Sequence, residues 1–566
     1  MILGIDLGTS NSMAAVYREG KPVIIESRVG RKQIPSIVSV DENGNFFAGD
    51  VAKERQITYP NQTVSGFKRS MGTEKTFSID GKELKAVELS AIILRNIKED
   101  AEHFLGEKIE DVVISVPAFF SNPQRKAVLQ AGELAGLKVR QLINEPTAAA
   151  MAYGIQDKET ESEAEDTKVI MVMDLGGGTF DISIVEQTGN IMEVVSVCGD
   201  NHLGGEDFTR HLMTMFLEFY GMEELEKCEE IFLWKQAEQA KKMFASSEKA
   251  SMHCNIKGKN YDYDVMEQEY EMACFDLIEK MRKLALKAVE ESKYEMEEIG
   301  EILMVGGGMK LSIIQKMVAK LAGKQLEYKI NPDEAVALGA ALTGHLLEQN
   351  YEVKDLIMTD ICPYNLGVIT YSVIKYDMNS GFENLLPKNT IIPAKRTKRI
   401  WIVEKTEKMK NRILYQASEN YNDEAIKLGE LSYLMPDTLD DGSYITYTII
   451  CDINGIVEFE IYVEANHTTK SMILCNENCE LTMEEARKRI QELDYLKSTP
   501  MEEENNKLLY AKAERMYSEC IGRDREKIGS YLQEFEKAIY SWDEKKILIA
   551  RENLESLLSD LEKTVF

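Results

Sequence analysis

One short design occurs twice in this sequence. Gly4-Ile-Asp-Leu-Gly-Thr-Ser-Asn11 and Met173-Asp-Leu-Gly-Gly-Gly-Thr-Phe-Asp181 each close an apolar run, set an aspartate at its tip and turn through glycine into a second apolar run. Asp6 and Asp174 stand about one domain length apart. The repeat predicts two lobes of similar build facing each other across a cleft.

Around the repeat, apolar β-type runs at 2–5, 14–17, 112–116, 169–174, 182–185 and 302–305 alternate with helical spacing at 125–135, 205–219, 270–287 and 313–322. That alternation predicts α/β architecture. The polar, acidic stretch between Gly154 and Val169 reads as a surface loop. From about Tyr351 the texture changes. Residues 354–360 form a short apolar segment between charges, which reads as a linker. Residues 361–480 are rich in Ile, Val, Tyr and Thr, and Asn454-Gly455 separates the runs 445–450 and 457–463, the pattern of a hairpin in an all-β unit. Thr482-Met-Glu-Glu485 is a capping box that opens a helical tail. As a single rod that tail would expose Leu508, Met516, Leu532, Phe535, Leu554 and Leu558, so it is expected to fold back as a small bundle. The expected division is 1–348, a linker at 349–360, an all-β unit at 361–480 and helices at 481–566.

Composition narrows the function classes. With 67 Lys+Arg against 96 Asp+Glu, the net charge of −29 repels phosphate backbones and argues against general nucleic-acid binding. A 44% hydrophobic content excludes wholesale disorder. The 9 cysteines are odd in number and scattered, so they form no disulfide framework. Cys475 and Cys479, with only His467 nearby, fall short of a four-ligand zinc site. No apolar run approaches the ~20 residues that span a bilayer, and the first strand follows the initiator directly, without a basic leader. A cytoplasmic protein with no membrane partner is expected.

The glycine turns carry the chemistry. A phosphate held between two lobes needs backbone N–H groups close to its oxygens, which glycine permits by lacking a Cβ. Gly8, Thr9, Ser10 and Asn11 supply one such turn, and Gly176, Gly177, Gly178 and Thr179 another. Asp6 and Asp174 are suited to hold Mg²⁺, mostly through water, because that ion dehydrates reluctantly. A third turn, Gly306-Gly307-Gly308, follows the run 302–305 and opens a helix, a place for a ribose or α-phosphate. One such loop alone is more often an ordinary tight turn. Three together, two with paired Asp and Thr, point to a nucleotide.

The turns belong to a longer set of motifs. Ile5-Asp-Leu-Gly-Thr-Ser-Asn-Ser12, Val116-Pro-Ala-Phe-Phe120, Ile143-Asn-Glu-Pro-Thr-Ala-Ala-Ala150, Asp174-Leu-Gly-Gly-Gly-Thr-Phe-Asp181, His202-Leu-Gly-Gly-Glu-Asp-Phe208 and Asn331-Pro-Asp-Glu-Ala-Val336 resemble the ATPase domain of DnaK-type heat-shock chaperones. The β unit and tail match that family's peptide-binding domain and lid, and the proportions are most similar to its short-lid HscC-like bacterial branch. The resemblance implies a two-lobed actin-like (ribonuclease-H-like, duplicated) α/β ATPase domain, an all-β peptide-binding domain and a short α-helical lid. It also implies ATP/ADP, Mg²⁺ and K⁺ as cofactors, unfolded client polypeptides and a J-domain co-chaperone as partners, and a chain that works as a monomer. ATP would open a peptide cleft and hydrolysis would close it.

Site roles follow from the same resemblance. Lys68 matches the lysine that orients the attacking water, and Glu145 a carboxylate supporting magnesium and water. Thr179 matches a hydroxyl near the γ-phosphate, and Asp181 supports that site beside Asp174. Gly204, Gly205, Glu206, Gly306, Gly307 and Asp333 match nucleotide-lining positions. Glu238 and Lys241 match residues touching ribose and adenine, although as an i,i+3 pair they would also suit a surface ion pair. Pro117 and Arg125 match a relay between domains that ends in the linker residues Leu356, Ile357 and Met358. Val368, Tyr371, Ile400, Ile413 and Tyr415 fall near positions lining the peptide cleft, where strand alternation alone reads as core.

Some positions depart from the pattern. Gly308-Met309-Lys310 stands where the family has Ser-Thr-Arg, and Lys242 where arginine is common, so the planar stacking on adenine that a guanidinium offers is weakened. Gln141, beside Arg140, replaces an arginine tied to co-chaperone docking, and the linker is less apolar than usual. The segment 246–263 is shorter than in housekeeping members, which puts use of a nucleotide-exchange factor in doubt. Rival readings are a sugar-type kinase or an actin-like filament protein, which leave everything after Tyr351 without a job, and a holdase with a vestigial nucleotide cycle, which the full set of Lys68, Thr179, Asp6 and Asp174 opposes.

Overall fold

A computed structural model describes the chain except residues 159–166, 190, 224, 324–330, 349–356, 375–376, 402–408, 418–424, 435–443, 474–503, 521, 541–543 and 566. The Thr482 capping box, Cys475, Cys479, Leu356 and most of the acidic loop therefore lie outside the described residues.

The repeat in the sequence is a repeat in topology. In the first lobe Asp111–Val116 runs parallel to Ile2–Asp6, which pairs antiparallel with Asn11–Arg18 and then Lys21–Ile24. Lys138–Asn144 adds a parallel strand at the edge. In the second lobe Glu301–Val305 runs parallel to Lys168–Leu175, which pairs antiparallel with Phe180–Thr188 and then Ile191–Asp200. Both aspartates therefore sit at the ends of matching strands. Each lobe has its own core, and a third core joins them through the helices Glu145–Lys158 and Ala335–Glu348. Those helices are rich in Ala and Gly because they approach so closely: a Cβ on Gly339 would lie 1.8 Å from the Ala148 carbonyl oxygen. The helical run expected at 270–287 is two helices, Glu267–Ala273 and Phe275–Ser292, broken at Cys274.

The described part of the expected linker, from Ile357 on, is a strand. Ile357–Ile361 pairs in parallel with Ile191–Asp200 and antiparallel with Ile391–Ile392, extending the second lobe's sheet. Met358 packs against the core between the lobes. Strand addition satisfies backbone groups that a free linker would leave to water.

The β unit is two four-stranded antiparallel sheets, one centred on Asn365–Ile374 and Met409–Ala417, the other on Tyr444–Cys451 and Val457–Val463. The last two strands form the hairpin around Asn454-Gly455, and Val457–Val463 alternates buried with half-buried side chains. In the tail, Glu504–Glu519, Gly522–Tyr540 and Glu544–Val565 bury Met516, Phe535, Leu554 and Leu558 together. Leu509 rather than Leu508 takes the buried position, a one-residue slip in the helical phase. The first tail helix lies along the Gly49–Thr58 helix of the first lobe.

Candidate functional site

Four carboxylates and one ammonium meet where the lobes face each other. The buried Lys68 amine donates to Glu145 Oε1 at 2.8 Å and lies 5.5 Å from the centroid of the Phe120 ring. Asp6 accepts from Ser115 Oγ at 2.8 Å, and Asp174 pairs across its strand with Asp181. Phe119 N–H donates to Asp181 Oδ1 at 3.0 Å, while Asp181 Oδ2 has no partner. Burial and the charge of Glu145 push the Asp6 carboxyl up to about 7 and that of Asp181 up to about 8, with Lys68 opposing both. Asp174 is pushed well above the usual carboxylate range by the same causes. One lysine among four carboxylates leaves the site short of positive charge.

That shortage and the unpartnered Asp181 oxygen fit a hydrated divalent cation. Among the described residues no three His, Cys, Asp or Glu side chains converge as a metal cage. A Mg²⁺ ion suits such a site because it keeps most of its waters and takes one or two carboxylates plus phosphate oxygens. Asp6 and Asp174, at the ends of the matching strands, are the carboxylates that could hold it.

The two repeated turns touch, and only glycine lets them. A Cβ on Gly177 would lie 2.0 Å from Ser10 Oγ, and one on Gly178 would lie 2.8 Å from Thr9 Cγ2. Gly204 packs on the same turn, its added Cβ falling 2.4 Å from the Gly177 carbonyl oxygen. Ser10 Oγ donates to Glu206 Oε1 at 3.0 Å, and Thr9 and Thr179 are buried. Gly8 and Asn11 bound the first turn, and an added Cβ on Gly8 would lie 2.0 Å from the Asn11 carbonyl oxygen. Gly176 N–H closes the second turn on Thr179 O at 3.1 Å. The third turn comes to the same place. Gly306 holds a φ of +82°, and a Cβ there would lie 2.7 Å from Asp174 Oδ1. Its N–H donates to Pro332 O at 3.0 Å, Gly307 lies beside Asp333, and Lys310 pairs with Asp333 at 2.6 Å.

On the helix Lys227–Met243, Lys241 is buried and bridges Glu238 at 2.6 Å, Gly205 O at 2.9 Å and Thr209 Oγ1 at 2.8 Å. This is no surface ion pair. Lys242 is exposed and only loosely paired with Glu238, at 3.5 Å. Sequence reasoning missed Arg69, which joins the lobes by bonding Asp207 at 2.8 and 3.2 Å and Gly177 O at 3.3 Å. Its place beside Lys68 in Gly66-Phe-Lys-Arg69 was the available signal.

Asn144, one residue before Glu145, reaches the other way. Its amide donates to Asp360 Oδ2 at 2.6 Å and its oxygen accepts from Arg125 Nη2 at 2.7 Å. Arg125 also donates to the carbonyls of Phe120, Ala118 and Asn454. Pro117 O closes the turn that carries Phe120. Leu142 N–H donates to Asn454 Oδ1 at 2.9 Å, and Asn122 to Gly455 O at 3.2 Å. The β unit is thus held on the first lobe through its hairpin turn and the linker strand.

Of the expected cleft residues, Val368 is fully buried between the sheets of the β unit. That place is core rather than an open cleft, as alternation alone would have it. Ile413 and Tyr415 are half-buried, and the side chains of Tyr371 and Ile400 lie outside the described residues. Compared with models of known protein families, residues 2–565 match the one described as Hsp70 protein.

Proposed function

The chain belongs to the Hsp70 family, and from that premise we propose that it is an ATP-dependent molecular chaperone that binds and releases extended apolar segments of unfolded clients. The proposed division is an actin-like ATPase domain over 1–348, a linker over 349–360, a peptide-binding β unit over 361–480 and a helical tail over 481–566. The observation that carries the reading is the adjacency of Asn144 and Glu145. One side chain takes Asp360 of the linker strand and Arg125, while the other takes the buried Lys68. A change at the nucleotide thereby has a one-residue path to the linker.

In this reading Gly8–Asn11 and Gly176–Thr179 bind phosphates, Glu238 and Lys241 face the ribose, and Lys68 orients the attacking water with Glu145 fixing its amine. Bound Mg²⁺ would supply charge neutralisation at the phosphates, and K⁺ would assist. Hydrolysis then needs no covalent intermediate, only positioning and electrostatics. A J-domain co-chaperone, a cytoplasmic setting and a place in the short-lid HscC-like branch are proposed on the resemblance of motifs and proportions. The test is ATP turnover with and without an unfolded peptide. Stimulation by peptide supports the chaperone; stimulation by a sugar, with none by peptide, would assign the chain to the kinases.

A further inference from the structure

Two thiols meet near the seam between the first lobe and the β unit. Cys362 directly follows the linker strand Ile357–Ile361, and Cys451 ends the strand Tyr444–Cys451 just before the turn at Asn454-Gly455. Both are buried in the core of the β unit, and their side chains are hydrogen-bonded to each other. Backbone contacts fix each in place. Cys362 N–H donates to Thr390 O at 2.8 Å and its Sγ to Tyr364 O at 3.3 Å, while Cys451 pairs with Ala394 across the second sheet. A small cavity lies beside the pair, lined also by Asn122, Arg125 and Gln416. Asn122 Oδ1, an acceptor, and Gln416 Nε2, a donor, are buried without partners, on residues only 4% and 2% exposed. A polar cavity of this kind suits a small hydroxylic molecule. The two sulfurs are also unequal. The hydrogen bond from Cys451 holds the Cys362 thiol pKa below its ordinary value against burial, and the same bond, with burial, pushes that of Cys451 up. Burial pushes the thiols of Cys198, Cys254, Cys274 and Cys520 up as well.

We propose that Cys362 and Cys451 form a redox modification site, in which hydrogen peroxide closes a reversible disulfide between the exit of the linker strand and the hairpin docked on the first lobe. The Cys362 sulfur attacks one peroxide oxygen, the O–O bond breaks, and water leaves behind a sulfenic acid. The Cys451 sulfur then attacks that sulfur. The S–S bond forms, and the hydroxyl departs with the Cys451 proton as a second water, so two thiols lose two electrons and one peroxide gains them. The bond closes the chain from 362 to 451 on itself. The strand in the second lobe's sheet and the turn held by Arg125 and Leu142 then move as one body. This goes beyond the chaperone reading and does not depend on it.

The test exposes the reduced full chain to hydrogen peroxide and maps its peptides without reduction. A linked pair of peptides carrying Cys362 and Cys451 should form before Cys198, Cys254 or Cys274 is oxidised, and dithiothreitol should restore both thiols. Cys451→Ser should leave Cys362 as a sulfenic acid that dimedone traps, whereas Cys362→Ser should leave Cys451 unoxidised. Hydrogen exchange should slow about three- to tenfold at both 357–361 and 452–456 in the oxidised chain, because neither attachment then opens alone. Oxidation of the other buried cysteines while 362 and 451 stay free, or a disulfide that forms only in the unfolded chain, overturns the site. A disulfide that leaves exchange unchanged at both segments overturns the coupling it is proposed to make.

Discussion

Lys68 is where charge and position coincide. It is the single ammonium among Asp6, Glu145, Asp174 and Asp181, buried and fixed by one carboxylate. Lys68→Ala therefore removes the group expected to hold the attacking water while leaving the glycine turns untouched. Single-turnover hydrolysis should fall by at least about a hundredfold, with ATP affinity within a few-fold of the original. Near-normal hydrolysis would remove Lys68 from the chemistry. At this scale the sequence was informative wherever backbone geometry forbids a side chain: Gly8, Gly177 and Gly178 would each collide with a neighbouring turn or with their own loop if given a Cβ, while Gly176 would meet only ordinary contacts. It was silent on Arg69 and Asp207. Nothing in the spacing of two charged residues about 140 positions apart says that they meet across a cleft, and only the packing of the lobes brings them together.

Among elements, the linker strand shows what periodicity cannot supply. The run Ile357–Ile361 is too short and too charged at its flanks to read as a strand by itself. It becomes one because Ile191–Asp200 offers an open edge and the space between the lobes takes Met358. Replacing Ile357 and Met358 by Asp should free the strand, preserve basal ATP turnover and abolish peptide stimulation; persisting stimulation would rule out signalling through this strand. The same element carries a pH dependence. Burial raises the Asp360 carboxyl above its usual range, against the pull of Ile361 N–H and Arg125. The docked strand therefore holds its proton more tightly than the free one. Docking is strongest below the ordinary carboxylate pKa of about 4 and weakens as pH rises through the docked value. Asp360→Asn should flatten this dependence when docking is followed by protease cleavage near residue 356 across that range. An unaltered pH profile in the variant would assign the titration to another group.

For the whole molecule, the question is whether the β unit and the tail dock on the lobes as one event or two. The β unit is held by Arg125 on the Asn454 carbonyl, by Leu142 on the Asn454 side chain, and by Lys388 on Glu291 at 2.6 Å. The tail is held by Arg515 and Glu519. The two sets share no residue. Arg125→Ala and Asn454→Ala act on one hairpin turn, since the Asn454 side chain shapes the turn whose carbonyl Arg125 takes. Their effects on docking should fall short of additivity by about 0.5–1 kcal/mol. Arg125→Ala with Arg515→Ala should be additive within about 0.5 kcal/mol if the two contacts are independent. Distance-sensitive fluorescence with one label in the β unit and another in the tail, each against the first lobe, measures both quantities in one protein. Strong coupling between Arg125 and Arg515 would mean that the lobes close as a rigid block and that either attachment alone sets the position of the other. Independence would instead let the β unit and the tail leave the lobes separately, so that each attachment can be altered without moving the other.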